Sequence, residues 1–107
     1  MNRAVHCQIS WSATLLERMR SNDSLSKLAT PVHFLNDDIY WPKQLWTAVI
    51  LIPNAREQSS RCTIKMLLDD SPMVHFLTVG SRFELPRGRV IIATGVVVRD
   101  DSFTTDT

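Results

Sequence analysis

The chain has 107 residues, 44% of them apolar and 21% charged, and its twelve basic and eleven acidic side chains leave a formal charge of +1. That length supports one hydrophobic core and not two, and the near balance of charge argues against a dedicated nucleic-acid binder, whose footprint is a strongly basic domain. No stretch approaches the roughly 20 apolar residues of a membrane span, and the opening MNRAVHCQISWSA alternates polar with apolar where a secretory leader would be continuously apolar, so the expected compartment is the cytoplasm.

In chain order, Val5, Cys7, Ile9 and Trp11 alternate with His6, Gln8, Ser10 and Ser12. A period of two over these residues predicts a half-buried first strand. The period then changes: Leu15, Leu16 and Met19 predict a short helix from Ala13 to Arg20, with Thr14 and Glu17 as a capping box. Ser21–Ser24 should break it, and Leu25 with Leu28 should form another short turn before Pro31. Val32–Leu35 reads as a brief strand, and Asn36–Asp37–Asp38 as a turn. Ile39–Tyr40–Trp41–Pro42 reads as an aromatic patch on a loop or strand edge. Leu45–Ile52 is nearly all apolar and should be buried on both faces.

A polar loop follows, and Arg61–Leu68 then alternates. Cys62, Ile64, Met66 and Leu68 are expected inward, and Thr63, Lys65 and Leu67 outward. Asp69–Pro72 is turn chemistry. Met73–Val79, Arg82–Leu85 and Arg89–Val98 read as three further strands. All three glycines, Gly80, Gly88 and Gly95, fall among them. Gly80 and Gly88 suit turns with positive φ, and Gly95, inside a β-branched strand, suggests a bulge or barrel corner. Many short strands without alternating helices argue for a barrel or sandwich in one domain, residues 1–99, with residues 100–107 as a flexible acidic tail.

Gly80, Phe83, Glu84, Leu85, Gly88, Arg89, Val90, Ala93, Gly95 and Val97 together resemble the closing strands of the third domain of elongation factor Tu. They equally resemble the small stand-alone bacterial proteins related to that domain, in which a G-x-x-F-x-L-x-x-G-x-x-x-x-A-x-G-x-V run recurs. The likeness covers roughly residues 74–98. It implies a six-stranded antiparallel β-barrel, here with a short helical insertion after the first strand. The family's early glycine-arginine loop and Gly-Tyr-Arg-Pro turn have no counterpart, because no glycine precedes Gly80. With that early motif missing, tRNA contact is carried over to no residue, and without a phosphate-cradling glycine-rich loop there is no GTPase domain.

No catalytic motif stands out. His6 and Cys7 are strand neighbours and point to opposite faces, and an inward thiol is inert. Cys7 and Cys62 both fall at inward positions, which leaves buried free thiols or a disulfide open, with thiols favoured by a reducing compartment. The acidic doublets at 37–38, 69–70 and 100–101 lie at predicted turns or the chain end, where Asp is favoured by backbone hydrogen bonding alone. No metal or other cofactor is expected.

A protein-binding module is therefore expected, not an enzyme, and in concrete form a bacterial immunity protein that neutralises a cognate toxin. The expected partner surface combines Glu17, Arg18, Arg20 and Asp23 of the insertion, Asp37, Asp38, Tyr40 and Trp41 of the aromatic loop, and Arg87 and Arg89 of the glycine-marked hairpin. The alternative is a translation-associated barrel binding RNA or a ribosomal partner through those arginines, and a metal-independent nuclease using His and Arg comes last. Both a monomer and a homodimer paired through an open barrel edge fit the sequence.

Overall fold

The computed structural model describes residues 2–21, 26–52, 57–68 and 70–105. Six strands, β1 (Asn2–Trp11), β2 (Lys27–Phe34), β3 (Trp46–Leu51), β4 (Ser59–Met66), β5 (Arg82–Arg87) and β6 (Val90–Thr105), close into an antiparallel barrel in the order β1-β4-β3-β2-β5-β6. One helix, α1 (Ala13–Ser21), follows β1. Because every pairing is antiparallel, each connection returns to a defined end. The β1–α1 segment, the β3–β4 connection and the β5–β6 hairpin share one end. The β2–β3 loop and the long β4–β5 connection share the other.

The core is the inward row of each strand. Val5, Cys7, Ile9 and Trp11 of β1 face Cys62, Ile64 and Met66 of β4, and all are buried. Leu15, Leu16 and Met19 join them from α1, which thereby closes its end of the barrel. At about 2 kcal/mol for each such buried side chain, tertiary contact outweighs anything a nine-residue helix gains from propensity. The helix is capped two residues earlier than the Thr14–Glu17 box requires. Ser12 Oγ accepts from the Leu15 amide at 3.3 Å and Ser12 O from the Leu16 amide at 2.9 Å, while Thr14 and Glu17 stay exposed.

Several expected elements are corrected. Met73–Val79 is not a strand: residues 72–76 form a 3-10 turn. Ser71 Oγ accepts from the Met73 amide, and Pro72 sits where its missing N–H costs nothing. Met73 and Leu77 are buried and Phe76 stacks on Phe34 at 5.4 Å, a spacing of three and four and not two. Leu28 belongs to a strand and not to a short turn, since β2 begins at Lys27 and pairs with β3 through Lys27↔Leu51 to Val32↔Trp46. Pro31 is tolerated there because β2 pairs with β5 only at His33 and Phe34, so no ladder on the β5 side requires its amide. Lys65 is 5% exposed despite its outward parity, as are its register neighbours Ala4 (0%) and Val49 (6%). Leu68 is exposed because β4 stops at Met66 and its alternation lapses. In the Leu45–Ile52 run, Leu45 precedes β3 and is exposed and Trp46 is half-buried, so burial on both faces is confined to Ala48–Ile50.

β6 continues beyond Val98 to Thr105, where Phe103 to Thr105 pair with Ala4 to Asn2 of β1, and Arg3 forms an ion pair with Asp100. The irregularities of β6 lie at Ile92, at Val98 and between Arg99 and Phe103, where the register shifts, and not at Gly95. Such extra residues bend a strand and let it pair with both neighbours round a closed barrel. Gly95 has a different role. It lies opposite Phe83 of β5, and a Cβ there would meet the Phe83 ring at 2.4 and 2.7 Å. Phe83 is 1% exposed and packs on Phe34 at 5.7 Å, so the ring has nowhere to swing. Gly80 and Gly88 are the positive-φ turn residues, at +92° and +61°.

Gly95→Ala should accordingly cost about 1–3 kcal/mol as an overpacking substitution. Thermal unfolding should show a lowered Tm that Phe83→Leu in the same chain partly restores. An unchanged Tm in the single variant would mean that the ring is not confined.

Candidate functional site

The ten expected contact residues do not form one surface. Glu17, Arg18 and Arg20 lie exposed on α1, and Arg87 and Arg89 on the adjoining β5–β6 hairpin, all at one barrel end. Asp37, Asp38, Tyr40 and Trp41 lie in the β2–β3 loop at the other. Strands of six to eight residues separate the two groups, about 20 Å of chain. Asp23 falls outside the described residues. Other basic side chains do not extend the hairpin arginines into one patch: Arg61 donates to Gln8 Oε1 on the barrel wall, Lys65 is buried, and Arg82 begins β5 at the loop end.

The loop end is built on Asp37. Its side chain is 7% exposed, and its Oδ1 accepts from the Ile39 and Tyr40 amides at 3.1 and 2.9 Å, the local bonding for which Asp is favoured in turns. Asp37 therefore shapes the loop, whereas Asp38 faces solvent. Beyond it, Tyr40 meets Trp46 edge-on at 6.0 Å, and Trp41, joined to Pro42 by a cis peptide bond, stacks on His33 at 3.8 Å with the rings 11° apart. His33 Nδ1 lies 2.8 Å from Glu84 Oε1.

The Trp41–His33–Glu84 constellation has no local sequence signal. His33 and Glu84 are 51 residues apart and meet only because β2 and β5 are register partners. Glu84 also borders a shallow groove of about 440 Å³ on the outer wall, with Gln8, Ser10, Arg82 and Thr94 around it. A carboxylate-held imidazole is half of an acid–base pair. The three histidines stand on β1, β2 and the 3-10 turn, and among the described residues no three of His, Cys, Asp and Glu come together as a metal site.

Around this loop the surface is unusually apolar. Of the eight large apolar side chains exposed among the described residues, Leu35, Ile39 and Leu45 come from the β2–β3 loop and Leu67, Leu68 and Val79 from the β4–β5 connection. Six thus share one end, and only Val90 and Ile91 lie elsewhere. Leu45, Leu67 and Leu68 line one groove of about 240 Å³ with Trp46 and Thr47, tied together by the Leu67 amide donating to Thr47 O at 3.0 Å.

Cys7 and Cys62 are register partners on β1 and β4, free and buried. Each thiol donates to a backbone carbonyl, Cys7 to Cys62 O at 3.6 Å and Cys62 to Ser60 O at 3.7 Å. Burial pushes the Cys62 thiol up to about 11. The Cys7 thiol is pushed up further by burial and by the neighbouring Cys62, against a smaller opposing pull from Arg61. A thiol held neutral and covered is no nucleophile. No protein-family model, no curated protein and no solved structure matches the chain.

Both thiols should resist an aromatic disulfide reagent in the native protein at pH 8 and react on unfolding. The raised folded-state values mean that stability is fully present below the ordinary thiol value of 9.0 and declines as pH rises through about 11. Chemical denaturation of wild type should therefore lose stability over that window relative to Cys7→Ala/Cys62→Ala; parallel curves would show that the thiols ionise freely.

Proposed function

We infer that this protein is a non-enzymatic protein-binding module whose partner docks on the loop end of the barrel. The observation that carries this reading is that six exposed large apolar side chains share the barrel end that also carries Tyr40 and Trp41. Exposed apolar area of this kind marks protein–protein contact, and aromatic anchors supported from beneath, as Trp41 is by His33 and Glu84, suit binding hot spots because little freedom remains to be lost. The concrete form proposed is an immunity protein acting in the cytoplasm, whose partner is a toxin.

A second reading, a translation-associated barrel, is favoured by the likeness over residues 74–98 to the third domain of elongation factor Tu and by Arg18, Arg87 and Arg89 at the helix end. None of these three forms an ion pair with another described residue. It calls for an RNA or ribosomal partner engaged from the end opposite the apolar surface.

The two readings separate in one experiment. Tagged wild type, Tyr40→Ala/Trp41→Ala, Leu67→Asp/Leu68→Asp and Arg87→Gln/Arg89→Gln proteins are used for capture from the native lysate, with mass spectrometry and an RNA stain. The expected outcome is one stoichiometric protein, weakened at least tenfold by either loop-end double variant and unaffected by the arginine variant. That protein should arrest growth when expressed alone and not when co-expressed with this chain. Capture of RNA that falls steeply with salt and depends on Arg87 and Arg89 would overturn the protein-binding reading.

A further inference from the structure

The helix end carries a feature that the docking of a protein at the loop end leaves unused. Between the start of α1 and the β5–β6 hairpin lies a groove of about 310 Å³. Leu15, Val90 and Ile92 give it an apolar lining, Thr14 contributes a hydroxyl, and Arg18 and Arg87 line it from the helix and the hairpin. Val90 is 62% exposed and forms the rim of this lining, while Leu15 and Ile92, 6% and 7% exposed, form its floor. Neither arginine has an ion-pair partner among the described residues. Glu17, the nearest carboxylate in sequence, lines a separate groove on the other flank of α1, with Leu16 and Arg20.

We propose that this groove binds a small aliphatic carboxylate, the carboxylate held by Arg18 and Arg87 and the hydrocarbon lying on Leu15, Val90 and Ile92. The charge complementarity is specific. Guanidinium groups pair with carboxylates through parallel N–H···O bonds, and two of them from separate elements converge on one groove. The volume is at the lower end of the roughly 300–1,000 Å³ of small-molecule sites, which limits the occupant to a short chain. Free phosphate would use the arginines alone and leave the apolar lining wet. A neutral hydrocarbon would use the lining alone and leave two cations desolvated without a counter-charge, which is unfavourable. A carboxylate with a short alkyl chain satisfies both. Thr14 Oγ1, in the first turn of α1, adds a polar neighbour at the positive end of the helix. The site lies at the opposite barrel end from the apolar surface and does not depend on the protein-binding reading.

The test is a titration of the ¹⁵N-labelled protein with octanoate below its micellar range, followed by amide chemical shifts. Saturable shifts should concentrate at Thr14, Leu15, Val90 and Ile92. Arg18→Gln/Arg87→Gln should weaken binding at least tenfold while the rest of the spectrum keeps its dispersion. Octanamide should bind at least tenfold more weakly than octanoate. Should the double variant lose its dispersion, Val90→Asp, at an exposed hairpin position, gives the same reading by placing a like charge beside the carboxylate. Equal binding of octanamide, shifts spread away from the groove, binding unchanged in the variants, or inorganic phosphate displacing octanoate at lower concentration than octanoate itself requires would each overturn the proposal.

Discussion

Closure of the sheet through the pairing of β1 with β6 is the constraint on which the rest of the molecule depends. A six-stranded barrel encloses little space, so each inward position must match its neighbours in volume. Gly95 is where this is tightest: only hydrogen can occupy the inward side of β6 opposite the Phe83 ring. The Cys7–Cys62 register pair fills the β1–β4 wall with two small thiols, whose burial keeps them neutral. The strand that closes the barrel also absorbs its curvature, through the register shifts at Ile92, at Val98 and between Arg99 and Phe103.

Closure leaves variation to the ends, and the two ends have diverged in chemistry. At one, α1 covers the core with Leu15, Leu16 and Met19 and leaves arginines and a small apolar groove outside. At the other, a loop organised by the Asp37 carboxylate and a 3-10 turn started at Ser71 present leucines and aromatic rings to water. The wall between them is mostly polar or paired. The residues that charge and aromaticity alone would join in one surface therefore lie on two, at opposite ends of the barrel.

Where sequence reading and structure part, a competing local interaction explains the difference. Met73–Val79 alternates well enough to suggest a strand, yet Ser71 and Pro72 start a helical turn before any pairing can form, and Phe76 then stacks on Phe34. Leu28 is drawn into β2 by register with Ile50 of β3, a partner 22 positions away that no local pattern announces. Ser12 displaces the Thr14–Glu17 box because β1 already ends at Trp11, which puts its hydroxyl at the first turn.

The period-two rows of β1 and β4, the change of period at Ser12 and the glycines at the turns were enough by themselves to determine a barrel or sandwich of short strands with one short helix after the first, and the six-stranded antiparallel barrel was what the resemblance over residues 74–98 implied. Those signals are local, because burial on one face imposes the alternation directly on the chain. Only the tertiary structure decided which residues share a surface. The His33–Glu84 pair under Trp41, the groove between Arg18 and Arg87, and the apolar end formed by Leu35, Leu45 and Leu67 all join segments distant in sequence. Strand order and register bring them together, and both are set by closure of the whole sheet, which no local stretch of chain encodes.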